Sequence, residues 1–184
     1  VARIIAGKGK GRRLKAPAGE ATRPTAARLR QSLFDILSPR LPGCRFLDLF
    51  AGSGAIGLEA LSRGAVHVTL VDEDREAVDS IRRNAAALAA AGGEARVLRQ
   101  DARAAVMGLA AAGDRFDLVY LDPPYGSDLY EPVLERVAPL LRDDGLAVAE
   151  HFHKRDLPER IGRLERVRVA RTGDHRLSFY RLTL

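Results

Sequence analysis

Asp122-Pro123-Pro124-Tyr125 follows directly on an apolar run of Phe116, Leu118, Val119, Tyr120 and Leu121. Such a run suits a strand covered on both faces. Two successive prolines stop it, because each lacks a donor N–H and fixes φ. A carboxylate, the carbonyls around the prolines and an aromatic ring therefore meet at the carboxyl end of a strand, where open α/β sheets bind ligands. That set suits methylation of an exocyclic amine on a nucleobase. The amine nitrogen is a poor nucleophile because its lone pair is delocalised into the ring. A carboxylate and a backbone carbonyl accepting its two N–H bonds would hold it against an electrophilic methyl, and the ring of Tyr125 would stack on a flipped-out base. The same four residues are also good turn formers, so what precedes them decides.

Phe46-Leu47-Asp48-Leu49-Phe50-Ala51-Gly52-Ser53-Gly54-Ala55-Ile56-Gly57 reads as a strand, a tight glycine turn and a helix start. Gly52, Gly54 and Gly57 satisfy G-x-G-x-x-G, and Asp72, followed by Glu73, closes the second strand twenty residues after Gly52. The pattern fits a dinucleotide or any other adenosine-bearing cofactor. Three features favour S-adenosylmethionine. Asp48 lies inside the strand end, where it could face a cationic amino-acid tail. Asp101, followed by Ala102, is placed to accept from an adenine amino group, although Asp is also a favoured helix N-cap. The chain has no room for a dehydrogenase substrate domain. Asp74 is an alternative ribose ligand, or a cap to the next helix; Asp72 is preferred because it ends the strand.

The glycine turn and the proline loop need one continuous sheet behind them, and the chain provides the pattern for it. From Arg45 onward strands and helices alternate: strand Arg45–Leu49, helix Ala55–Arg63, strand Val66–Val71, helix Arg75–Ala91, strand Ala95–Arg99, helix Ala102–Ala111, strand Phe116–Leu121, helix Leu129–Leu141 and strand Leu146–His151. This spacing argues for a parallel sheet with helices on both faces. Arg163–Arg171 and Leu177–Leu184, around Thr172-Gly173-Asp174-His175, then read as an antiparallel hairpin.

Residues 1–40 differ in kind. They hold ten Lys and Arg against Glu20 and Asp35, a net of +8, whereas the remaining 20 basic and 22 acidic residues net to −2. All of the excess positive charge sits in the first fifth, the footprint of an arm that meets a polyanion. Two short strands around Lys8-Gly9-Lys10-Gly11 are expected, then a helix Ala26–Leu37 capped by Thr25, with a break at Pro42-Gly43. The domain division is therefore 1–40, a basic RNA-binding extension, and 41–184, the catalytic domain. At 184 residues one good core is expected. There is no apolar run near the length of a membrane span and no signal-peptide pattern. The single Cys44 excludes an internal disulfide framework and fits a reducing, cytoplasmic setting. No metal is expected, because one Cys and four scattered His, including the His151 and His153 pair, lack ligand spacing.

With these residues assembled, the chain resembles the RsmD-type 16S ribosomal RNA guanine-N2 methyltransferases. The resemblance runs through Arg3-Ile4-Ile5-Ala6-Gly7, Gly11-Arg12-Arg13-Leu14, Thr22-Arg23-Pro24-Thr25 with Arg28, Arg30, Leu33 and Phe34, then Leu47–Gly54, Asp122–Tyr125 and Leu177-Ser178-Phe179-Tyr180. The N-terminal block is its specific part, since many amino-methyltransferases share the other two motifs. Gln31 stands where that family often has Glu, and Tyr125 where some members have Phe. The resemblance implies a Rossmann-like class I fold with a mostly parallel seven-stranded sheet and a C-terminal antiparallel hairpin. It also implies S-adenosylmethionine as cofactor and ribosomal RNA or a small-subunit particle as partner of a monomer. Asp122, Pro123, Pro124 and Tyr125 would be catalytic. Asp48, Phe50, Ala51, Gly52, Ser53, Gly54, Asp72, Glu73, Asp101 and Ala102 would bind the cofactor. Lys8, Lys10, Arg12, Arg13, Arg23, Thr25 and Arg28 would contact RNA. The alternatives are adenine-N6 or cytosine-N4 methylation, a non-catalytic RNA-binding module on the same fold, and a nicotinamide oxidoreductase, which leaves Asp122–Tyr125 unexplained.

Overall fold

The computed structural model describes residues 2–16, 24–89 and 92–183. Helix α1 (Pro24–Leu37) precedes an alternating run: β1 (Arg45–Asp48), α2 (Ala55–Ser62), β2 (His67–Asp72), α3 (Arg75–Ala87), β3 (Glu94–Arg99), α4 (Ala102–Ala111), β4 (Phe116–Leu121), α5 (Tyr130–Val137) and β5 (Leu141–Phe152). β6 (Arg160–Ile161), β7 (Leu164–Thr172) and β8 (His175–Leu182) complete the chain. The strand order is β3-β2-β1-β4-β5-β8-β7-β6. β1 to β5 pair in parallel, and β8, β7 and β6 add antiparallel strands beyond β5. The expected seven strands are present, and the two-residue β6 makes an eighth at the edge. Strand order reverses between β1 and β4, which opens a crevice at their carboxyl ends.

The sheet separates two apolar layers. Phe34, Phe46, Leu58, Leu70, Ile81, Leu118, Val148 and Phe179 fill one, beneath α1, α2 and α3; Val71, Val106, Val119, Leu121, Val133, Leu134 and Tyr180 fill the other, beneath α4 and α5. Gly57 belongs to the first for a steric reason: a Cβ there would lie 2.7 Å from Leu70 Cδ2. Among the described residues no helix is long and apolar enough to cross a membrane.

Three boundaries differ from expectation. α1 begins at Pro24 rather than Ala26, so Thr25 lies inside the first turn instead of capping it; Pro is well suited to a helix start. α5 gives way at Val137 to a 3-10 turn, Ala138–Leu140, because Pro139 has no N–H to continue the α ladder. β5 then starts at Leu141, and its register against β4 shifts between Phe116 and Leu118 to accommodate the extra residues before Leu146.

The N-terminal segment folds back on itself as a short antiparallel pair: Arg3 bridges Arg13, the Ile4 N–H donates to the Arg12 carbonyl at 3.0 Å and the Leu14 N–H to the Ala2 carbonyl at 2.8 Å, and tight turns close the Gly7–Gly11 loop. The segment is also stitched to α2. Glu59, wholly buried, accepts from the Ile5 N–H at 2.7 Å and the Ala6 N–H at 2.9 Å, and its Oε1 also takes Arg63 Nε at 2.7 Å. Ser62 Oγ donates to the Ala6 carbonyl at 2.6 Å and accepts from the Gly9 N–H at 2.9 Å. Gly7 must be glycine: its φ is +79°, and a Cβ would fall 1.9 Å from the Ser62 carbonyl oxygen. Ile4, Leu14, Leu29, Leu33 and Leu37 share the same apolar layer as the sheet. Residues 2–16 and α1 thus pack into one core with residues 41–183.

Candidate active site

The strand register brings the acidic residues together. Asp48 and Tyr120 are partners across β1 and β4, while Tyr120 pairs with Val148 and Leu121 with Ala149 across β4 and β5. Asp122 is the first residue past β4, and Glu150 is the next residue of β5 after the last paired position, Ala149. Alternation puts Asp48, Tyr120, Asp122 and Glu150 on the same face of the sheet.

The glycine turn crosses the ends of β1 and β2. Its backbone is tied down by Leu49 N–H to the Tyr120 carbonyl (3.0 Å), Ala51 N–H to the Val71 carbonyl (2.9 Å) and Gly54 N–H to the Ala51 carbonyl (2.7 Å). Gly52 and Gly54 have φ of 53° and 80°, a region that L side chains rarely enter. The Gly52 N–H donates to Asp72 Oδ2 at 2.8 Å, and Asp72 Oδ1 accepts from the Asp74 N–H at 2.9 Å. Asp74 caps α3 through the Ala77 N–H at 2.8 Å. The two candidate ribose ligands therefore differ in setting: Asp72 supports the turn, and Asp74 serves the helix.

Asp48 is buried. Its Oδ2 accepts from the Gly57 N–H at 3.2 Å, and its Oδ1 has no partner. Burial pushes its carboxyl up to about 7; the N–H groups of Gly57 and Phe50 oppose this, and the charges of Asp72 and Glu150 add to it. An orphaned carboxylate oxygen beneath a glycine turn fits a cationic amino-acid tail. Asp101 caps α4, its Oδ1 accepting from Arg103 N–H (3.0 Å) and Ala104 N–H (3.2 Å), and no described hydrogen bond uses Oδ2. A small desolvation cost is outweighed by the Ala104 N–H and the Arg103 guanidinium, which hold Asp101 below the usual carboxylate range. Capping thus occupies Oδ1 and leaves Oδ2 without a described partner. Ala102 starts α4 and is buried, and Glu73 is exposed.

After β4, Pro123 is buried and Tyr125 is 90% exposed. The Pro124 carbonyl already accepts from the Ser127 N–H at 3.0 Å. No described hydrogen bond reaches the Pro123 carbonyl, which leaves it as the loop acceptor beside Asp122. Asp122 is crowded by protein on one side and open to the cleft on the other. Desolvation on the crowded side, with the negative charges of Glu150 and Asp48, raises its carboxyl well above the usual carboxylate range.

Several contributors were not singled out in the sequence. Glu150 accepts a hydrogen bond from the Tyr120 hydroxyl, and its Oε1 lies 3.1 Å from His175 Nδ1 as a charge contact rather than an aligned hydrogen bond. Tyr130 donates its hydroxyl to the Glu150 carbonyl at 2.9 Å. Arg155 binds the Ser127 carbonyl (2.9 Å) and Glu131 (3.0 Å) and covers the Tyr130 ring at 4.6 Å, so it pins the loop from behind. Phe152 meets Tyr125 edge-on at 6.1 Å. Asn84 joins the glycine turn to the N-terminal segment, donating to the Ser53 carbonyl (3.0 Å) and the Lys15 carbonyl (2.8 Å) and accepting from the Lys15 N–H (2.9 Å). An acid closing the apolar run Leu146–Ala149 was the available signal for Glu150, akin to the signal that marks Asp48 and Asp122.

Of the basic residues, Lys8, Lys10, Arg12, Arg13 and Arg28 are exposed. Arg23 and the Thr25 side chain lie outside the described residues. Arg30 is buried and donates to the Arg3 carbonyl at 2.7 Å, and Gln31 bonds Asp35 one helical turn along at 2.6 Å. His151 engages Ser178 Oγ (2.8 Å) and His153 the Asp174 carbonyl (3.0 Å). Among the described residues no cluster of three or more His, Cys, Asp or Glu could hold a metal ion.

A family model described as conserved hypothetical protein 95 matches residues 2–181. Ribosomal RNA small subunit methyltransferase D of Escherichia coli K12 is 42% identical over 143 residues, spanning 78% of this chain and 68% of that protein. A provisionally named rRNA methyltransferase of Bacillus subtilis, YlbH, is 39% identical over 181 residues, spanning 97% of this chain and 98% of its own. Among solved structures, a hypothetical protein of Thermus thermophilus matches with a TM-score of 0.83 at 37% identity, covering 99% of this chain and 100% of that one. The architecture is the Rossmann-like fold of class I S-adenosylmethionine-dependent methyltransferases. With similarity running from the glycine turn through the proline loop to both ends of the chain, the protein belongs to the RsmD-type family of ribosomal RNA methyltransferases.

Proposed function

We propose that the protein methylates the exocyclic N2 amine of a guanine in small-subunit ribosomal RNA, in the cytoplasm. The observation that supports this reading is the placement of Asp122 just past β4, under the charges of Glu150 and Asp48 and next to the strand whose neighbour β1 leads into the glycine turn held by Asp72.

In this reading S-adenosylmethionine supplies a methyl group made electrophilic by its sulfonium. Asp48 Oδ1 faces the cationic tail, Asp72 the ribose hydroxyls and Asp101 Oδ2 the adenine amine. Phe50, Ala51, Gly52, Ser53 and Gly54 shape the wall, with Glu73 and Ala102 at its rim. Asp122 and the Pro123 carbonyl accept the two N–H bonds of the target amine and aim its lone pair at the methyl. The protein's share of the catalysis is therefore positioning and electrostatics. Pro124 closes the turn that presents Tyr125, whose exposed ring stacks on the extruded base. Replacing Tyr125 with Ala removes a stacking surface worth about 1–3 kcal/mol per base. Methyl transfer should fall by roughly 10–100-fold, while Tyr125→Phe stays near the wild type. Equal loss in both variants would show that the hydroxyl, not the ring face, matters.

Residues 1–40 form the RNA-gripping part and 41–184 the catalytic part, on a shared core. Lys8, Lys10, Arg12 and Arg13 crowd the loop held against α2, and Arg28 extends the patch along α1. Arg23 and Thr25 belong to the same stretch of sequence. Changing Lys8, Lys10, Arg12 and Arg13 together to Gln should weaken RNA binding and lower the slope of log K against log salt by about 3, at roughly 0.7 per phosphate contact on single-stranded RNA. An unchanged slope would move the phosphate contacts elsewhere.

The function itself is tested by mapping methylated nucleotides in small-subunit ribosomal RNA from a strain lacking the gene and from its parent. Loss of one N2-methylguanine, restored by the purified protein with S-adenosylmethionine, is the expected result. Loss of a methylated adenine or cytosine instead would replace guanine as the substrate.

A further inference from the structure

We propose that Glu150 reads guanine, accepting its N1–H while Asp122 accepts from the neighbouring N2 amine, so that one carboxylate on β5 and one just past β4 match two adjacent donors. The inference rests on the reading that the target amine sits at Asp122, and it adds what selects the base.

Guanine presents N1–H and the N2 amine side by side, both donors. Adenine and cytosine place a ring acceptor, N1 or N3, next to the exocyclic amine. A site with one acceptor serves all three bases; a site with a second carboxylate on the same edge serves guanine and repels the other two. The geometry supplies the second carboxylate. Tyr120 pairs with Val148 and Leu121 with Ala149, so Glu150 follows the last paired residue of β5 as Asp122 follows that of β4, and the Glu150 charge acts on Asp122. The Tyr120 hydroxyl on Oε2 and His175 Nδ1 at 3.1 Å from Oε1 hold the side chain in place. Each carboxylate oxygen has two lone pairs, so both retain acceptor capacity, and 12% of the side chain remains exposed. Phe152, next but one after Glu150, reaches the Tyr125 ring at 6.1 Å, which ties the end of β5 to the wall on which the base stacks. The charged and titratable groups facing Glu150 are Asp48 from β1, Tyr120 and Asp122 from β4 and its loop, Tyr130 from α5 and His175 from β8. His175 is the one cationic candidate among them.

2-Aminopurine separates the two donors, since it keeps the amine but has an acceptor at N1. Once the modified position is mapped, small subunits can be reconstituted with guanine or 2-aminopurine there and offered to the wild type and to Glu150→Gln. Gln still accepts from the Tyr120 hydroxyl, and it adds an N–H donor suited to an N1 acceptor. The wild type should prefer guanine by about 100-fold or more, since a well-made base contact is worth roughly 1–3 kcal/mol on each side of such a swap. Glu150→Gln should lose about 10–100-fold on guanine and gain on 2-aminopurine, with unchanged melting temperature and unchanged affinity for S-adenosylhomocysteine. Equal losses on both bases would mean that Glu150 only supports the fold or the loop, and would overturn the proposal. Efficient methylation of 2-aminopurine by the wild type would overturn it as well. If the wild type modifies no guanine in any subunit, the functional reading fails first and this inference with it.

Discussion

Asp122→Ala should lower methyl transfer by about a thousandfold, while S-adenosylhomocysteine and RNA still bind within a few-fold of the wild type. The size follows from removing both an orienting acceptor and a proton acceptor at the reacting nitrogen, a role worth roughly 10²–10⁴ in rate. Attack by the amine forms the N–CH₃ bond and breaks the S–CH₃ bond, and one N–H proton must leave. In the proposed pose Asp122 takes that proton, and desolvation with the charges of Glu150 and Asp48 raises its proton affinity. Only the ionised form accepts, so kcat/KM should rise with pH through an acid limb lying above the ordinary carboxylate range. Asp122→Asn keeps an acceptor oxygen and loses the proton site. It should retain more activity than Asp122→Ala and show no such limb. Removing the Glu150 charge should move the limb to lower pH, because a like charge that disfavours ionisation is gone. Near-normal turnover by Asp122→Ala with RNA binding intact would remove this residue from the chemistry.

The parts of this site that could be read in the sequence are those encoded by short, local signals. A buried run ended by Pro123-Pro124 announces a strand terminus, and positive-φ turns demand Gly52 and Gly54, so both sides of the crevice are visible as motifs. The alternation of strand and helix fixes a parallel sheet for the same reason, since each element carries its own period. What escaped was non-local. Glu150 becomes a site residue only when β4 and β5 are set in register, and that register depends on how the residues before Leu146 are absorbed. The basic N-terminus looked like a separate arm because its charge is segregated. Its attachment lies in Glu59, Ser62 and Asn84, polar residues of α2 and α3 whose partners are 53 to 69 positions away. Asp101 illustrates a different limit: capping and cofactor contact favour the same residue type, and the structure shows the capping, through Oδ1 alone.

That attachment carries the second large effect. Glu59→Ala should destabilise the protein by about 3–5 kcal/mol, the range for removing one partner of a buried ion pair. Four groups lose their partner or counter-charge at once: the Ile5 and Ala6 N–H donors, the Arg63 guanidinium at 2.7 Å, and buried Arg30, whose positive charge Glu59 favours against desolvation and the like charge of Arg63. For a chain of this size a loss of that order lowers the melting temperature by roughly 10 °C. RNA affinity should fall too, although no basic surface residue has been changed, because the loop bearing Lys8, Lys10, Arg12 and Arg13 is held to α2 by these bonds. Ser62→Ala removes only the neighbouring pair of hydrogen bonds, to the Ala6 carbonyl and from the Gly9 N–H, and keeps the buried charges matched. It should cost about 1–3 kcal/mol and weaken RNA binding in proportion. Cofactor affinity, measured below the melting range, should hold in both variants, since Asp48, Asp72 and the glycine turn keep their own bonds. If Glu59→Ala melts within about 1 kcal/mol of the wild type and binds RNA normally, the segment must owe its position to Ile4, Leu14 and the apolar layer beneath it, and Glu59 would be a satisfied buried acid with no part in holding the RNA-binding loop.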